Sequence, residues 1–151
     1  MGYVSLKNVK QFISPAQVTK SGGTWADTVF ADVIAHTREA EAGGFYLAFP
    51  MHLPGSAGFG VGARLKSIDV WYKIAIAAMA DMEDVSVKIL ELPATGVNIE
   101  GDEYDDITLD PDHDTASKRK TLASHKMTVT FPLKPFLKPD EALFLVMSCE
   151  G

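Results

Sequence analysis

The sequence predicts an all-β protein, a two-sheet antiparallel β-sandwich of about eight strands, and three observations carry that prediction. Residues 64–76 alternate strictly, with Ile68, Val70, Tyr72, Ile74 and Ile76 on one face and Ser67, Asp69, Trp71, Lys73 and Ala75 on the other. Residues 127–133 alternate again, Met127, Val129, Phe131 and Leu133 against Thr128, Thr130 and Pro132, and residues 142–149 form an apolar run punctuated only by Ser148. The segments between such runs are rich in Gly, Pro, Asp and Ser, the residues that make turns.

In chain order, residues 1–23 read as an N-terminal arm or as a first strand over 3–9, ahead of a sandwich domain at 24–151. Residues 24–42 allow two readings. Alanines and the following Gly43-Gly44 suit a helix with a glycine stop, whereas Val29, Val33 and Ile34 suit a strand over 29–36. Residues 45–53 form a strand that Pro50 demotes to an edge or a bulge. Residues 84–91 alternate until Pro93 ends them, and 105–109 form a weak strand. Residues 127–133 and 142–149, joined by the turn chemistry of Pro135 and Lys138-Pro139-Asp140, read as neighbouring antiparallel strands.

The chain of 151 residues is long enough for a full core without covalent staples. Its formal net charge of −6 disfavours nucleic acid and anionic membrane surfaces as partners. A single cysteine, Cys149, rules out an intrachain disulfide, and its apolar surroundings predict a buried thiol. No apolar stretch has the length of a membrane span, and no secretion signal is expected from the N-terminal pattern.

Eight carboxylates crowd into residues 100–114, and the first reading is a solvated loop and edge strand that resists edge-to-edge pairing. Within that block Asp110, Asp112 and Asp114 have the alternating spacing of calcium ligands, yet Thr115 and Thr121 stand where an EF-hand loop needs glycine and glutamate. Lys118, Arg119 and Lys120 follow at once. They either screen the acidic run locally or meet the acidic loop of a neighbouring copy.

Trp25, Phe59 and Trp71 are candidate interface aromatics. The four histidines lack metal-ligand spacing, no nucleophile elbow surrounds any serine, and the glycine-rich residues 55–62 lead into a strand, which argues against phosphate cradling. No cofactor is expected apart from calcium, and no enzymatic activity.

The stretches at 62–74, 84–92, 125–131 and 141–148, read as Gly-Ala-Arg-Leu-Lys-Ser-Ile-Asp-Val-Trp-Tyr-Lys-Ile, Asp-Val-Ser-Val-Lys-Ile-Leu-Glu-Leu, His-Lys-Met-Thr-Val-Thr-Phe and Glu-Ala-Leu-Phe-Leu-Val-Met-Ser, resemble jelly-roll-like virion structural proteins of tailed phages, capsid decoration or cement proteins among them. The likeness is one of strand order and texture over residues 45–148. It implies a jelly-roll-like sandwich, a homotrimer located in the virion and made in the host cytoplasm, with the major capsid protein or another virion component as partner. No catalytic residue comes with it. The competing reading is a carbohydrate- or receptor-binding module, with Trp25 or Trp71 and a calcium-bound acidic loop as its working parts.

Overall fold

The computed structural model describes residues 10–30, 33–51, 64–75, 81–91, 100–135 and 141–151. The expected strand at 3–9, Phe59 with its glycine-rich loop, and the turn at 138–140 lie outside the described residues.

The described residues form an all-β, sandwich-like fold of antiparallel sheets with one short helix. In chain order the elements are β1 (Thr19–Ser21), β2 (Trp25–Phe30), β3 (Val33–Arg38), β4 (Gly44–Met51), β5 (Ser67–Lys73), β6 (Asp81–Glu91), β7 (Glu100–Glu103), β8 (Thr108–Leu109), α1 (Ala116–Arg119), β9 (Ser124–Thr130) and β10 (Glu141–Glu150). One sheet has the order β1-β4-β10-β6-β7, a second β5-β9-β8, and β2 and β3 form a hairpin.

Alternation decides what each strand buries. Met127 and Val129 of β9, Val70 of β5 and the following Phe131 turn inward from the three-stranded sheet. Leu143, Leu145 and Met147 of β10 meet them from the other sheet in register with Ile89, Val87 and Val85 of β6 and Met51, Phe49 and Leu47 of β4. These side chains form one continuous apolar core, with the rings of Tyr104 and Phe131 5.8 Å apart at its margin.

Four expectations need correction. Within 24–42 the described residues form two paired antiparallel strands, Trp25–Phe30 and Val33–Arg38, rather than a helix or a single strand, with Trp25 opposite Arg38 and Val29 opposite Ile34, so the β-branched residues prevail over the alanines. Strand β4 is interior, between β1 and β10. Pro50 is tolerated because β1 pairs only with Tyr46, Leu47 and Ala48, leaving no β1 partner at Pro50. Residues 105–107 are irregular, and the acidic stretch supplies two short strands, β7 and β8, on different sheets.

The fourth correction concerns β9 and β10, which are not neighbours. Each lies within a different sheet, and they meet face to face through the core instead of edge to edge. The chain leaves β9 in a turn at Phe131, where the Lys134 N–H donates to the Phe131 carbonyl, and this carries Leu133 out to 66% exposure.

Two local devices fix the start of the sheet. Gly22 adopts φ +70° between β1 and β2, and a Cβ there would collide with the Gly44 carbonyl oxygen. Lys20 Nζ lies 2.9 Å from both Asp27 Oδ1 and His36 Nδ1, while His36 Nε2 donates to the Pro15 carbonyl at 2.6 Å. The hairpin is thereby tied to β1 and to the 3-10 turn Pro15–Gln17.

Leu145 has no solvent exposure and its strand is paired on both sides, so Leu145→Ala should lower unfolding free energy by about 2–5 kcal/mol in urea titration. Gly22→Ala should cost at least about 1–3 kcal/mol in the same assay, through the strained backbone and the clash with the Gly44 carbonyl together.

Candidate functional site: an apolar sheet face and a histidine joint

The outward faces of the two sheets differ in chemistry. On the three-stranded sheet, β5 presents Ser67, Asp69, Trp71 and Lys73, and β9 presents Ser124, Lys126, Thr128 and Thr130. These polar groups satisfy one another. Thr128 Oγ1 donates to Asp69 at 2.8 Å, Lys126 bridges to Asp69 at 3.1 Å, and its ammonium sits 5.6 Å from the Trp71 ring centre. Trp71, at 65% exposure, is a single aromatic on a hydrophilic surface.

On the five-stranded sheet the middle outward rows are mostly apolar, bounded by the Tyr46, Ser148 and Asp84 row at one end and by Thr19 and Ser21 of β1 along one side. Register places Ala48, Val146 and Ser86 in one row, and Pro50, Phe144 and Lys88 in the next. Leu90 and Tyr46 extend the patch at either end, Tyr46 with 45% exposure. These two rows and their extensions, except Ser86 and Pro50, together with Thr19 of β1, line an open depression of about 300 Å³. Lys88, the one cation in these rows, is ion-paired with Glu103 of β7. The Ser86 hydroxyl is buried without a hydrogen-bond partner.

This face was within reach of the sequence. An apolar run at 142–149, punctuated only by Ser148, is the pattern of a strand covered on both sides, whereas a sheet with one solvated face alternates. Leu143, Leu145 and Met147 are covered by the core, and Phe144 and Val146, pointing the other way, are only half-buried.

The second constellation joins the two sheets. Tyr72 lies directly opposite His125 in the β5–β9 ladder, and the two rings stack with centroids 4.6 Å apart. His113, 6% exposed, places Nε2 3.1 Å from His125 Nδ1 and Nδ1 2.8 Å from Asp110 Oδ1. The other Asp110 oxygen accepts the Thr128 N–H at 2.6 Å.

Burial of the Asp110 carboxyl acts upward on its pKa, but the Thr128 N–H and His113 outweigh it and hold the group below its ordinary value. A depressed carboxylate stabilises the fold above its unfolded-state pKa, and that stabilisation is lost as pH falls through the folded value. Burial pushes the Tyr72 phenol and the Cys149 thiol each up to about 12, so both stay neutral.

Arg119 completes the joint. The sequence offered it as an interface residue, and this needs correction: at 5% exposure its guanidinium donates to the Met82 carbonyl of β6 and to the His113 carbonyl. Lys118, its neighbour, is exposed and pairs with Asp114 at 2.7 Å, the local screening arrangement, while Lys120 is partly buried. The metal candidates are engaged elsewhere. Asp110 holds His113 and two backbone N–H groups, including that of Asp112, and Asp114 holds Lys118. Among the described residues no group of three or more His, Cys, Asp or Glu is arranged to hold a metal ion. Trp25 packs edge-on against Phe45 of its own chain and donates its indole N–H to the Gly22 carbonyl.

Comparison with known protein families, with curated proteins and with solved structures finds no match. The histidine joint escaped the sequence reading because His113 and His125 have no ligand or catalytic spacing, and only the fold of residues 110–128 and the β5–β9 register bring them together and set Tyr72 against His125.

The adjacent residues Lys118 and Arg119 should behave oppositely. Arg119→Ala strands buried carbonyls on β6 and on the loop and should cost about 2–4 kcal/mol in unfolding free energy, whereas Lys118→Ala should change it by less than about 1 kcal/mol.

Proposed function

We propose that this protein is a non-enzymatic structural component of a virion, a decoration protein whose copies associate with one another and reinforce a capsid lattice by added subunit contacts. The observation that carries the assembly part is the apolar outward face of the five-stranded sheet. The virion part rests on the likeness in strand order and texture to phage structural proteins. The occupant of the face is a further copy of this chain.

Area and charge support that occupant. The five strands, from three residues in β1 to eleven in β6, lie about 4.8 Å apart with about 3.3 Å per residue, so the whole outward side has an area on the order of 500 Å². Two copies meeting over all of it would bury about 1,000 Å², the threshold for a specific interface. The only cation in the rows is already paired with Glu103, so a second apolar face can approach without stranding it. Many such contacts, repeated by lattice symmetry, sum to avidity that no single contact has.

Light scattering after size exclusion should give a mass of at least two copies, the pair that like faces form, whereas three copies, as the resembled proteins imply, would mean that the face meets a different surface of its neighbour. Phe144→Glu or Val146→Glu should shift it to the 16.4 kDa of one chain with far-UV circular dichroism unchanged. A wild-type protein that stays at one copy at about 100 μM, far above the dissociation constants of interfaces in this size class, and binds no capsid component would overturn the proposal.

A further inference from the structure

The histidine joint contains a proton count that its geometry imposes. His113 Nδ1 faces the Asp110 carboxylate at 2.8 Å, and a carboxylate held ionised accepts only, so that nitrogen carries a proton. His125 Nε2 faces the Thr121 carbonyl at 2.9 Å, which also only accepts, so it too carries one. The two remaining nitrogens, His113 Nε2 and His125 Nδ1, face each other at 3.1 Å. The ring centroids are 5.3 Å apart, which leaves about one ring radius on each side and puts the two nitrogens near the line between the rings. Two neutral imidazoles would set lone pair against lone pair there, and two imidazolium ions would set proton against proton. One proton between them satisfies both.

We propose that His113 and His125 share a single proton across these nitrogens, as a diimidazole cation neutralised by Asp110, and that this shared proton makes the joint between the sheets a pH-sensitive lock. The surroundings suit a single positive charge. The Tyr72 ring stacks on His125 and stays a neutral phenol, donating its O–H to the Arg119 carbonyl at 2.8 Å. In the opposing sheet, Cys149 of β10 stays a thiol, and Asp81 of β6 adjoins Met82, whose carbonyl accepts from Arg119. The Arg119 guanidinium is turned away onto the carbonyls of Met82 and His113. Lys118 is occupied by Asp114, Lys126 projects to the opposite face of β9 toward Asp69, Asp112 is exposed, and Lys120 is partly buried beside Arg119. Asp110 is therefore the counter-charge in direct contact with the pair.

The sign of the pH dependence follows from counting. The folded pair holds three protons. In the unfolded chain the same two histidines hold four well below pH ~6.5 and two well above it. Stability contributed by the pair rises with pH while the unfolded chain holds the extra proton and falls once it holds one fewer, so it passes through a maximum near pH ~6.5. On each flank the folding constant should change by up to about tenfold per pH unit. The lock loosens in acid and in alkali. This inference concerns the joint alone and stands apart from the proposed virion role.

The direct test counts protons on the wild-type protein. In long-range ¹H–¹⁵N spectra of histidine-labelled protein, His113 and His125 should show three N–H protons together, unchanged from pH 5.5 to 8, with a strongly downfield bridging proton. Urea titrations of wild type and His125→Gln over the same range should differ by a curve with its maximum near pH ~6.5. Two rings that titrate independently, or a pair carrying two protons throughout, would overturn the proposal, as would parallel stability curves for the two proteins. The spectra decide the matter even if the variant does not fold.

Discussion

The packing of β9 against β6 and β10 is the contact on which the other features rest. Phe131, Met127 and Val129 from one sheet and Val87, Leu143, Leu145 and Met147 from the other lose nearly all their solvent contact where the layers interdigitate. Nothing else in the described chain offers comparable apolar burial. The Tyr72–His125 stack, the Arg119 bonds to Met82 and the placement of β8 all depend on the distance between sheets that this packing sets. The packing also fixes which sides of β4, β6 and β10 are left facing outward, and so creates the apolar face as a by-product of the core.

The two constellations divide the work of the molecule differently. The histidine joint is saturated with internal partners: each polar atom of Asp110, His113 and His125 that enters it meets another protein group. The outward face is the reverse, with half-buried Phe144, Val146 and Leu90 that no other described element covers fully. A saturated cluster holds structure, and an unsaturated face invites a partner. That contrast is why association is assigned to the sheet face and not to the acidic-basic segment, although the latter is more conspicuous in sequence.

Fold class was legible because period-two alternation is a local signal. In β5 and β6 the expected inward sets, Val70 with Tyr72 and Val85 with Val87, are the observed ones. Sheet membership was not legible. Residues 127–133 and 142–149 look like hairpin partners when only their separation is considered, because turn residues mark a reversal without saying whether the chain returns beside itself or crosses to the other layer. The hairpin at 25–38 was ambiguous because alanine suits a helix and valine a strand, and only long-range contact arbitrates. Arg119 illustrates the limit at the level of one residue: flanked by two lysines, it reads as surface charge, and its burial depends on the Met82 carbonyl 37 residues away.

Strand β10 bridges β4 and β6, which share no ladder with each other. On the ribosome β4 and β6 emerge well before residues 141–150 do, so each waits with an open flank until its bridge is made. The central sheet cannot assemble progressively from the N-terminal side; it must close in one late, long-range step, and the nascent chain carries two unpaired apolar edges up to that moment. Synthesis speed and chaperone access during that interval should therefore govern the yield of folded protein more than the stability of the finished sandwich does.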